Sequence, residues 1–422
     1  MGVVNDLCKC VPIPKMALVE QFFDEAYIDD VEKAVADTLE DEKVLDSIKP
    51  GMSVAITAGS RGICNIDTIL RTIVNAVKSR EAVPFIIPAM GSHGGATAEG
   101  QVQVLKGLGI TQETMDCEIK SSMTVERIGT TEDNRPIQID AYAAKADGII
   151  VVNRVKAHTS FTGHCESGLM KMMAIGLAKQ AGAEVCHQEG YAKIADNILK
   201  YGHGILNNSK VLFGVAILEN AFDKTSLVKA VKPEDFEKAE TSFLTKAKSM
   251  MPKIYFSDID VLVVDKIGKN ISGLGMDPHV SGCFASPYAH GPNRPEKTVV
   301  LDLTDETHGN GNGIGVADVT TRRLYEKFDM EATYPNALTA TLTSAVRIPM
   351  VMEDQKLAIQ AAIKTAPGFE KENIRMVRIK DTLSLGQIWI SESMITEAET
   401  NPNVKIIRYP EEMTFDENGN LF

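Results

Sequence analysis

The stretch Ala146–Gln188 decides how the chain is interpreted: ADGIIVVNRV (146–155) runs directly into KAHTSFTGHCESGLMKMMAIGLAKQAGAEVCHQ (156–188). The first part holds an apolar, β-branched run, which is typical of a buried strand. The second part contains three of the eight histidines and two of the seven cysteines in the chain. A buried strand that leads into a segment rich in reactive side chains predicts a site at the carboxyl end of that strand.

Two upstream segments repeat the order of strand, glycine-rich turn and helix. MSVAITAGSRGI (52–63) leads into the helical pattern IDTILRTIVNAVKSR (66–80), and AVPFIIPAM (82–90) leads into the turn GSHGGAT (91–97). A further strand, KVLFGVAILE (210–219), follows the 146–188 stretch. This alternation predicts an α/β fold with a mainly parallel sheet flanked by helices. The turns after parallel strands should then converge at one edge of the sheet.

The length of 422 residues predicts two domains, because a single hydrophobic core rarely serves so long a chain. We expect residues 1–250 to form an α/β cofactor-binding and catalytic domain, with residues 18–48 helical. Residues 256–394 should form a second α/β domain with a mainly parallel sheet that closes over the substrate. Residues 395–422 should form a strand region that returns to the first domain. The active site is expected in the cleft between the domains.

Composition and charge exclude several classes of partner. The chain is 44% hydrophobic and 24% charged, with a net charge of −13 and no block of Lys and Arg. Nucleic acid and anionic membranes both require a basic footprint, so neither is expected as a partner. No apolar run approaches the roughly 18 residues of a membrane-spanning helix, and the N-terminus lacks a signal-peptide pattern. The odd number of cysteines without disulfide spacing adds to the prediction of a cytoplasmic protein.

Two glycine-rich turns carry candidate side chains. The turn AGSRG (58–62) lies between a strand and a helix, where backbone N–H groups and the helix dipole favour an anion, and Arg61 can bind a carboxylate with two hydrogen bonds. The alternative is an ordinary turn with an exposed arginine. His93 lies among three glycines, and a histidine there suits general acid–base chemistry. The alternative is a surface histidine.

The 156–188 stretch contains four residues of interest, His158, His164, Lys171 and His187. Lys171 is surrounded by apolar residues, and desolvation of a lysine lowers its pKa and makes it a nucleophile. A lysine that snorkels from a helix face is the alternative. His187 is consistent with a metal ligand, a helix cap or a core histidine. The neighbouring methionines, at 170, 172 and 173, are interpreted as core.

Two glycine-rich loops of the second domain, 265–282 and 305–318, are further candidates. Lys269 in the first loop can reach a substrate's anionic or hydroxyl groups across an interdomain cleft. The second loop contains His308, and its Asn-Gly pairs fit simple turns equally well.

These residues together resemble the nickel-dependent lactate racemases and their hydroxy-acid racemase and epimerase relatives. The resemblance rests on SRG (60–62), GSHGGAT (91–97), AHTSF (157–161), SGLMK (167–171) and VCHQ (185–188). The separation of sixteen residues between Lys171 and His187 is its most specific element.

The resemblance implies a nickel-pincer nucleotide as cofactor, which is a pyridinium-3-thioamide-5-thiocarboxylic acid mononucleotide that holds nickel. Lys171 would tether it through the thioamide, His187 would be the protein ligand to nickel, and Gly59 and Ser60 would contact the cofactor. Soft sulfur donors with one imidazole suit square-planar nickel.

The same resemblance implies the reaction. His93 and His158 would take the hydroxyl proton from opposite faces of a small anionic 2-hydroxy acid while C2 gives its hydride to the cofactor. Arg61 would hold the substrate carboxylate and Lys269 would make a second contact. Cofactor-maturation enzymes are then implied partners, and a homo-oligomer is left open.

The sequence departs from the family's pattern before Lys171. Lactate-type members carry a GGRK-like run, whereas this chain has GLMK preceded by an additional polar piece, Gly163–Ser167. His164 or Glu166 in this piece could contact a larger, hydroxylated substrate. We therefore prefer a sugar acid over lactate. Two alternatives are kept: a zinc or other divalent-metal hydrolase or lyase that uses His158, His187 and Glu166, and a protein that only carries the cofactor.

Overall fold

The computed structural model describes residues 2–339, 341–368 and 371–422. The chain forms two compact units: the first unit is Asp24–Met251, and the second unit combines Met1–Phe23 with Pro252–Phe422. Within the described residues, no helix is long and apolar enough to cross a membrane.

The strands are β1 (Met16–Gln21), β2 (Ser53–Ala58), β3 (Val83–Pro88), β4 (Glu118–Ile119), β5 (Val125–Thr130), β6 (Pro136–Asp140), β7 (Gly148–Arg154), β8 (Val211–Glu219), β9 (Thr225–Val231), β10 (Val261–Ile267), β11 (Lys297–Leu303), β12 (Val319–Thr321), β13 (Met350–Met352), β14 (Met376–Ile379), β15 (Gln387–Ser391) and β16 (Val404–Glu411).

The helices are α1 (Val3–Cys8), α2 (Val31–Asp41), α3 (Ile66–Ser79), α4 (Ala98–Gly107), α5 (Gln112–Met115), α6 (Ala141–Lys145), α7 (Leu169–Lys171), α8 (Lys179–His187), α9 (Ile194–Asn208), α10 (Phe236–Met250), α11 (Pro278–Ser281), α12 (Arg322–Lys327), α13 (Met330–Thr339), α14 (Gln355–Thr365) and α15 (Ile395–Thr400).

The first unit is built on a six-stranded sheet in the order β4-β3-β2-β7-β8-β9. All neighbouring pairs are parallel except β8 and β9. In β7, Ile149 and Val151 enter one hydrophobic core while Ile150 and Val152 enter the other. Both faces of the sheet are therefore covered, which explains why this strand is a continuous apolar run. The predicted α/β fold with a mainly parallel sheet is confirmed for this unit.

The second unit contains an eight-stranded sheet in the order β13-β12-β11-β10-β14-β15-β1-β16. The first five strands are mutually parallel, whereas β15, β1 and β16 continue the sheet in antiparallel pairs. The expectation of a mainly parallel sheet thus describes one half of it. The antiparallel half is recruited from both ends of the chain.

The structure divides the chain differently from the predicted domains. Residues 18–48 do not form one helix: Met16–Gln21 is a strand paired on both sides, the α-helix covers only Val31–Asp41, and a short 3-10 helix follows at Val44–Ser47. Residues 1–23 therefore belong to the second unit, and β16 of the 395–422 region pairs with β1 there. It does not join the six-stranded sheet. Pairing with distant strands outweighs the helical pattern of residues 18–21.

Candidate active site

The frame of the candidate site is the edge of the six-stranded sheet where β3, β2 and β7 end. These strands are adjacent and parallel, so the turns after Pro88, Ala58 and Arg154 leave the sheet on the same side. Two of the turns touch directly, because the Ser60 hydroxyl forms a short hydrogen bond with Nδ1 of His93. The predicted convergence of the turns is therefore present.

Close backbone contacts fix the His93 loop. The Gly91 N–H donates to the Gly176 carbonyl at 3.2 Å, which ties the loop to the helical segment after Lys171. Gly94 has a φ of +68°, and a Cβ there would lie 2.6 Å from the carbonyl carbon of Gly100 in α4. Glycine is required at this position because a side chain would separate the loop from the first turn of α4.

The AGSRG turn is anchored from two directions. A Cβ on Gly59 would lie 3.2 Å from Cε of Met172, so the turn packs directly beside the residue that follows Lys171. At its other end, the Cys64 N–H donates to Glu219 at 2.6 Å, and Glu219 is ion-paired with Arg154. Strand β8 thereby holds the turn in place.

Lys171 lies at the end of α7, and Met172–Leu177 continues as a π-helix before α8 begins. Such wide turns are rare and are often found at functional sites. Burial and the positive charges of Lys156 and Arg61 lower the pKa of Lys171 to about 8. The Lys171 ammonium lies 5.9 Å from the centre of the Phe161 ring. The prediction of a desolvated lysine with a lowered pKa agrees with this environment, and the three cations together favour an anionic ligand.

His158 is held by its own loop. Its backbone N–H donates to Glu166 at 2.8 Å, and its ring stacks on Phe161 with 4.2 Å between centroids. The Ser160 N–H donates to Nδ1 of His158 at 3.2 Å. Because a backbone N–H is only a donor, Nδ1 is the acceptor, and the neutral ring carries its proton on Nε2.

Glu166 organises this loop and is fully buried. Its carboxylate accepts hydrogen bonds from the N–H groups of His158 and Gly163 and from the Lys248 ammonium at 2.7 Å. These bonds occupy both oxygens, so the prediction that Glu166 contacts substrate or a metal is not supported. His164, in the same polar piece, is exposed.

His187 ends α8 with the ring orientation of a potential metal ligand. Nδ1 lies 2.7 Å from the Ala183 carbonyl, which can only accept, so Nδ1 carries the proton and the lone pair is on Nε2. Burial lowers the pKa of His187, and the charge of Lys171 lowers it further. Burial also raises the pKa of the adjacent Cys186 to about 12, which keeps that thiol protonated. The imidazole is therefore the better ligand of the two.

Sequence reasoning missed two residues that connect the histidines. Tyr191 packs edge-on against His187 with 6.5 Å between ring centroids, and its hydroxyl lies near the Ser160 side chain. Ser160 is in turn the donor to His158. Helical spacing did not mark Tyr191, because α8 ends at His187 and Tyr191 lies in the turn beyond it. The contact with Ser160 had no signal in the sequence.

Lys269 lies in the second unit. Its backbone N–H donates to Thr307, and its ammonium donates to the Gly273 carbonyl at 2.8 Å. Its predicted contact with substrate stays a prediction, as does a site between the two units.

Among the residues that the structure describes, no three His, Cys, Asp or Glu side chains are grouped to hold a metal ion. The hydrolase alternative with His158, His187 and Glu166 as a ligand set therefore lacks support. A metal held mainly by the donor atoms of a cofactor needs only one protein ligand, so this finding does not bear on it. Met170, Met172 and Met173 are buried in the core, as predicted.

Comparisons with known proteins bear on one domain of the chain and on its fold. Residues 15–196 match the family model described as the lactate racemase N-terminal domain. Over 92% of this chain and 97% of the other, the structure is similar to the lactate racemase apoprotein from Thermoanaerobacterium thermosaccharolyticum, with 14% identity and a TM-score of 0.51. A protein from Thermotoga maritima is similar over 64% of this chain and 70% of its own, with 13% identity and a TM-score of 0.45. No curated protein matches the chain.

The match at residues 15–196 includes the two glycine-rich turns, Lys171 and both ring systems at His158 and His187. The similarity to the racemase apoprotein shows a shared fold over nearly the whole chain. Residues 15–196 of this chain therefore match the lactate racemase N-terminal domain.

Proposed function

We propose that the protein is a racemase or epimerase that inverts C2 of a 2-hydroxy acid with the help of a nickel-pincer nucleotide. The observation that carries the proposal is the segment Lys171–His187. It places an amine of lowered pKa and an imidazole with an Nε2 lone pair on one helical segment, beside two turns that hold Arg61 and His93. The family of the N-terminal domain supports the same reaction class.

The residues present fit this cofactor. A pKa of about 8 leaves roughly a tenth of the Lys171 amines neutral at pH 7, which suits covalent attachment through a thioamide. Arg61 and Lys156 supply positive charge for its phosphate and thiocarboxylate, and Gly59 and Ser60 offer backbone N–H groups. His187 would contribute Nε2 to nickel. When bound, the cofactor supplies a reversible acceptor for the hydride of C2.

The two candidate proton-transfer histidines are held so that their neutral rings can carry the proton on different nitrogens. The Ser160 N–H keeps the proton of neutral His158 on Nε2, so Nδ1 is not the nitrogen that exchanges a proton with substrate. Nδ1 of His93 can donate to the Ser60 hydroxyl, which leaves Nε2 as the acceptor. A racemase needs one group that accepts the hydroxyl proton and one that donates to the opposite face. Inversion in the reverse direction exchanges these roles.

Arg61 is exposed at the end of its turn, where it can bind the substrate carboxylate with two hydrogen bonds. His164 is the remaining candidate in the Gly163–Ser167 piece for a contact with the hydroxyl groups of a longer substrate, because Glu166 is fully engaged. A sugar acid is therefore preferred over lactate as the substrate.

The test is to produce the chain in cells that also make the nickel-pincer nucleotide and to measure nickel per chain. We expect about one nickel, lost in His187→Ala because its only protein ligand is removed. His203→Ala is the control, since His203 is an exposed histidine paired with Glu237 on α10. Stoichiometric zinc without nickel, or full nickel in His187→Ala, would contradict the proposal.

The loaded protein should then exchange the C2 configuration of chiral 2-hydroxy acids, followed by circular dichroism. We expect His93→Ala and His158→Ala each to lower kcat by about 10²- to 10⁴-fold while nickel stays bound, because general acid–base catalysis contributes that much. Near-full activity in either variant would remove that residue from proton transfer.

A further inference from the structure

A buried polar chain behind the His93 loop is not used by any of the roles above. It consists of Asp140, Lys179 and Gln101, each with 0% exposure. The Lys179 ammonium donates to the Pro88 carbonyl at 2.5 Å and to the Gln101 side-chain oxygen at 3.1 Å, and it lies 3.1 Å from the Asp140 carboxylate. A buried lysine is costly unless it is paired and hydrogen-bonded. Lys179 meets this condition, and its partner Pro88 is the last residue of β3, directly before the His93 loop.

Gln101 links Lys179 to the His93 loop through hydrogen bonds. Its side-chain N–H groups donate to the carbonyls of Gly91 at 2.9 Å and His93 at 3.2 Å. The orientation of the amide is fixed by chemistry, because an ammonium can only donate and the two carbonyls can only accept. One side chain of α4 therefore holds the backbone on both sides of Ser92.

Lys179 also changes the direction of the helical segment. It adopts a φ of +56° at the junction between the π-helix and α8. A residue other than glycine pays about 1–2 kcal/mol for this left-handed conformation. Lys179 thus lies between Lys171 and His187, where the π-helix meets α8. Its side chain donates hydrogen bonds to the end of β3 and to Gln101.

We infer that Lys179 and Gln101 are positioning residues that hold His93 in register with the helical segment bearing Lys171 and His187. Asp140 supplies the countercharge that keeps Lys179 in place. The inference rests on the proposed function where it gives His93 a role in proton transfer. The mechanical part, that Gln101 holds residues 91–93, is independent of any reaction.

The variant that separates these links is Gln101→Glu. The carboxylate still accepts from Lys179, and its charge strengthens that contact, so the core remains paired. It cannot donate to the carbonyls of Gly91 and His93, which it would instead repel. The matched control is Gln360→Glu in the second unit, because Gln360 is also buried and also donates to two backbone carbonyls, those of Lys9 and Val11.

The first readout is hydrogen exchange measured on the protein without cofactor. The amides of His93, Ala96 and Thr97 donate within or near the loop and report on its order. In Gln101→Glu we expect them to exchange roughly tenfold faster, while residues 179–187 keep their protection. Gln360→Glu should leave all of these rates unchanged. Unchanged exchange at 91–97 in Gln101→Glu, or equal acceleration in both variants, would overturn the inference.

The second readout is the loaded enzyme. Displacement of a catalytic group by about 1 Å costs on the order of 10²-fold, so Gln101→Glu should lower kcat by roughly 10- to 100-fold with KM little changed. The NMR chemical shifts of the His93 ring should change, since its contact with Ser60 depends on the loop. If exchange accelerates but the wild type turns over no 2-hydroxy acid, the positioning role stands and the proposed function fails. If the wild type turns over a 2-hydroxy acid but Gln101→Glu has the same exchange rates and the same kcat as the wild type, the proposed function stands and the positioning role fails.

Discussion

At the level of single residues, the burial that lowers the pKa of Lys171 also lowers the free energy of unfolding at neutral pH. Its pKa of about 8 lies below the ordinary lysine value of 10.5 because burial and two neighbouring cations disfavour the charged form. Between these values the unfolded chain binds more protons than the folded one, so the free energy of unfolding rises with pH across this range. Below pH 8, Lys171 is charged in both states, and its destabilising contribution to the free energy of unfolding is at its maximum.

Lys171→Met should therefore be more stable than the wild type at pH 7, by an amount that shrinks towards pH 10.5. Allowing for the half-buried position of the side chain, we expect the difference to change by about 1–2 kcal/mol between these pH values. Urea unfolding of both proteins at pH 7 and pH 10 measures it. The same difference at both pH values would show that Lys171 has an ordinary pKa.

Single residues also show what the sequence could reveal. Lys171 was predicted because a lysine in an apolar run has few interpretations. Lys179, eight residues later in the same run, has the same local signature, yet its function depends on Gln101 and Asp140, which only the fold brings to it. Glu166 appeared as a polar loop residue, and its burial depends on Lys248, which is 82 positions away.

At the level of elements, the π-helix Met172–Leu177 is the surface against which the His93 loop packs. Gly176 allows this approach, since a Cβ there would lie 2.6 Å from the Ala89 carbonyl oxygen and equally close to Sδ of Met172. The backbone oxygen cannot move without displacing the end of β3. The glycine is therefore a requirement of packing between two elements.

Gly176→Ala is expected to lower the free energy of unfolding by about 1–3 kcal/mol, because the new methyl group overpacks this contact. Gly107→Ala is the matched control. Gly107 lies at the end of α4 with open space around it, so alanine there should be neutral or stabilising by up to about 1 kcal/mol. Denaturant titration of the two variants compares them, and equal effects would remove the packing argument.

The elements differ in how well the sequence predicts them. The strand Gly148–Arg154 was predicted because its apolar run is a local signal of burial on both faces. Residues 18–21 of the strand Met16–Gln21 were predicted as helix because the partners of this strand, β15 and β16, lie far along the chain. The turns at Ser60 and His93 were predicted to meet, since parallel strands carry their following turns to one edge.

At the level of the whole molecule, the units do not follow the order of the chain. The first unit is continuous from Asp24 to Met251, whereas the second needs Met1–Phe23 to complete its sheet. In that sheet β1 is an interior strand with β15 on one side and β16 on the other. Removal of this strand would expose two edges at once and divide the antiparallel half.

We expect the fragment 24–251 to fold alone, with a cooperative unfolding transition, and the fragment 252–422 to fail because β1 is missing. A rearranged chain in which residues 1–23 follow 252–422 through a flexible linker should fold again, since β16 already lies beside β1. Circular dichroism and limited proteolysis of the three proteins test this. A stably folded fragment 252–422 would show that β1 is dispensable.

The position of β1 also has a consequence for synthesis. Gln21 hydrogen-bonds to the Leu385 carbonyl across 364 positions, so this strand must wait for partners that are synthesised much later. The continuous segment 24–251 has no such delay and can reach its native state while translation continues. The nascent chain would then carry an unpaired apolar strand ahead of the folded segment 24–251, and a chaperone that recognises such segments would have its longest opportunity there.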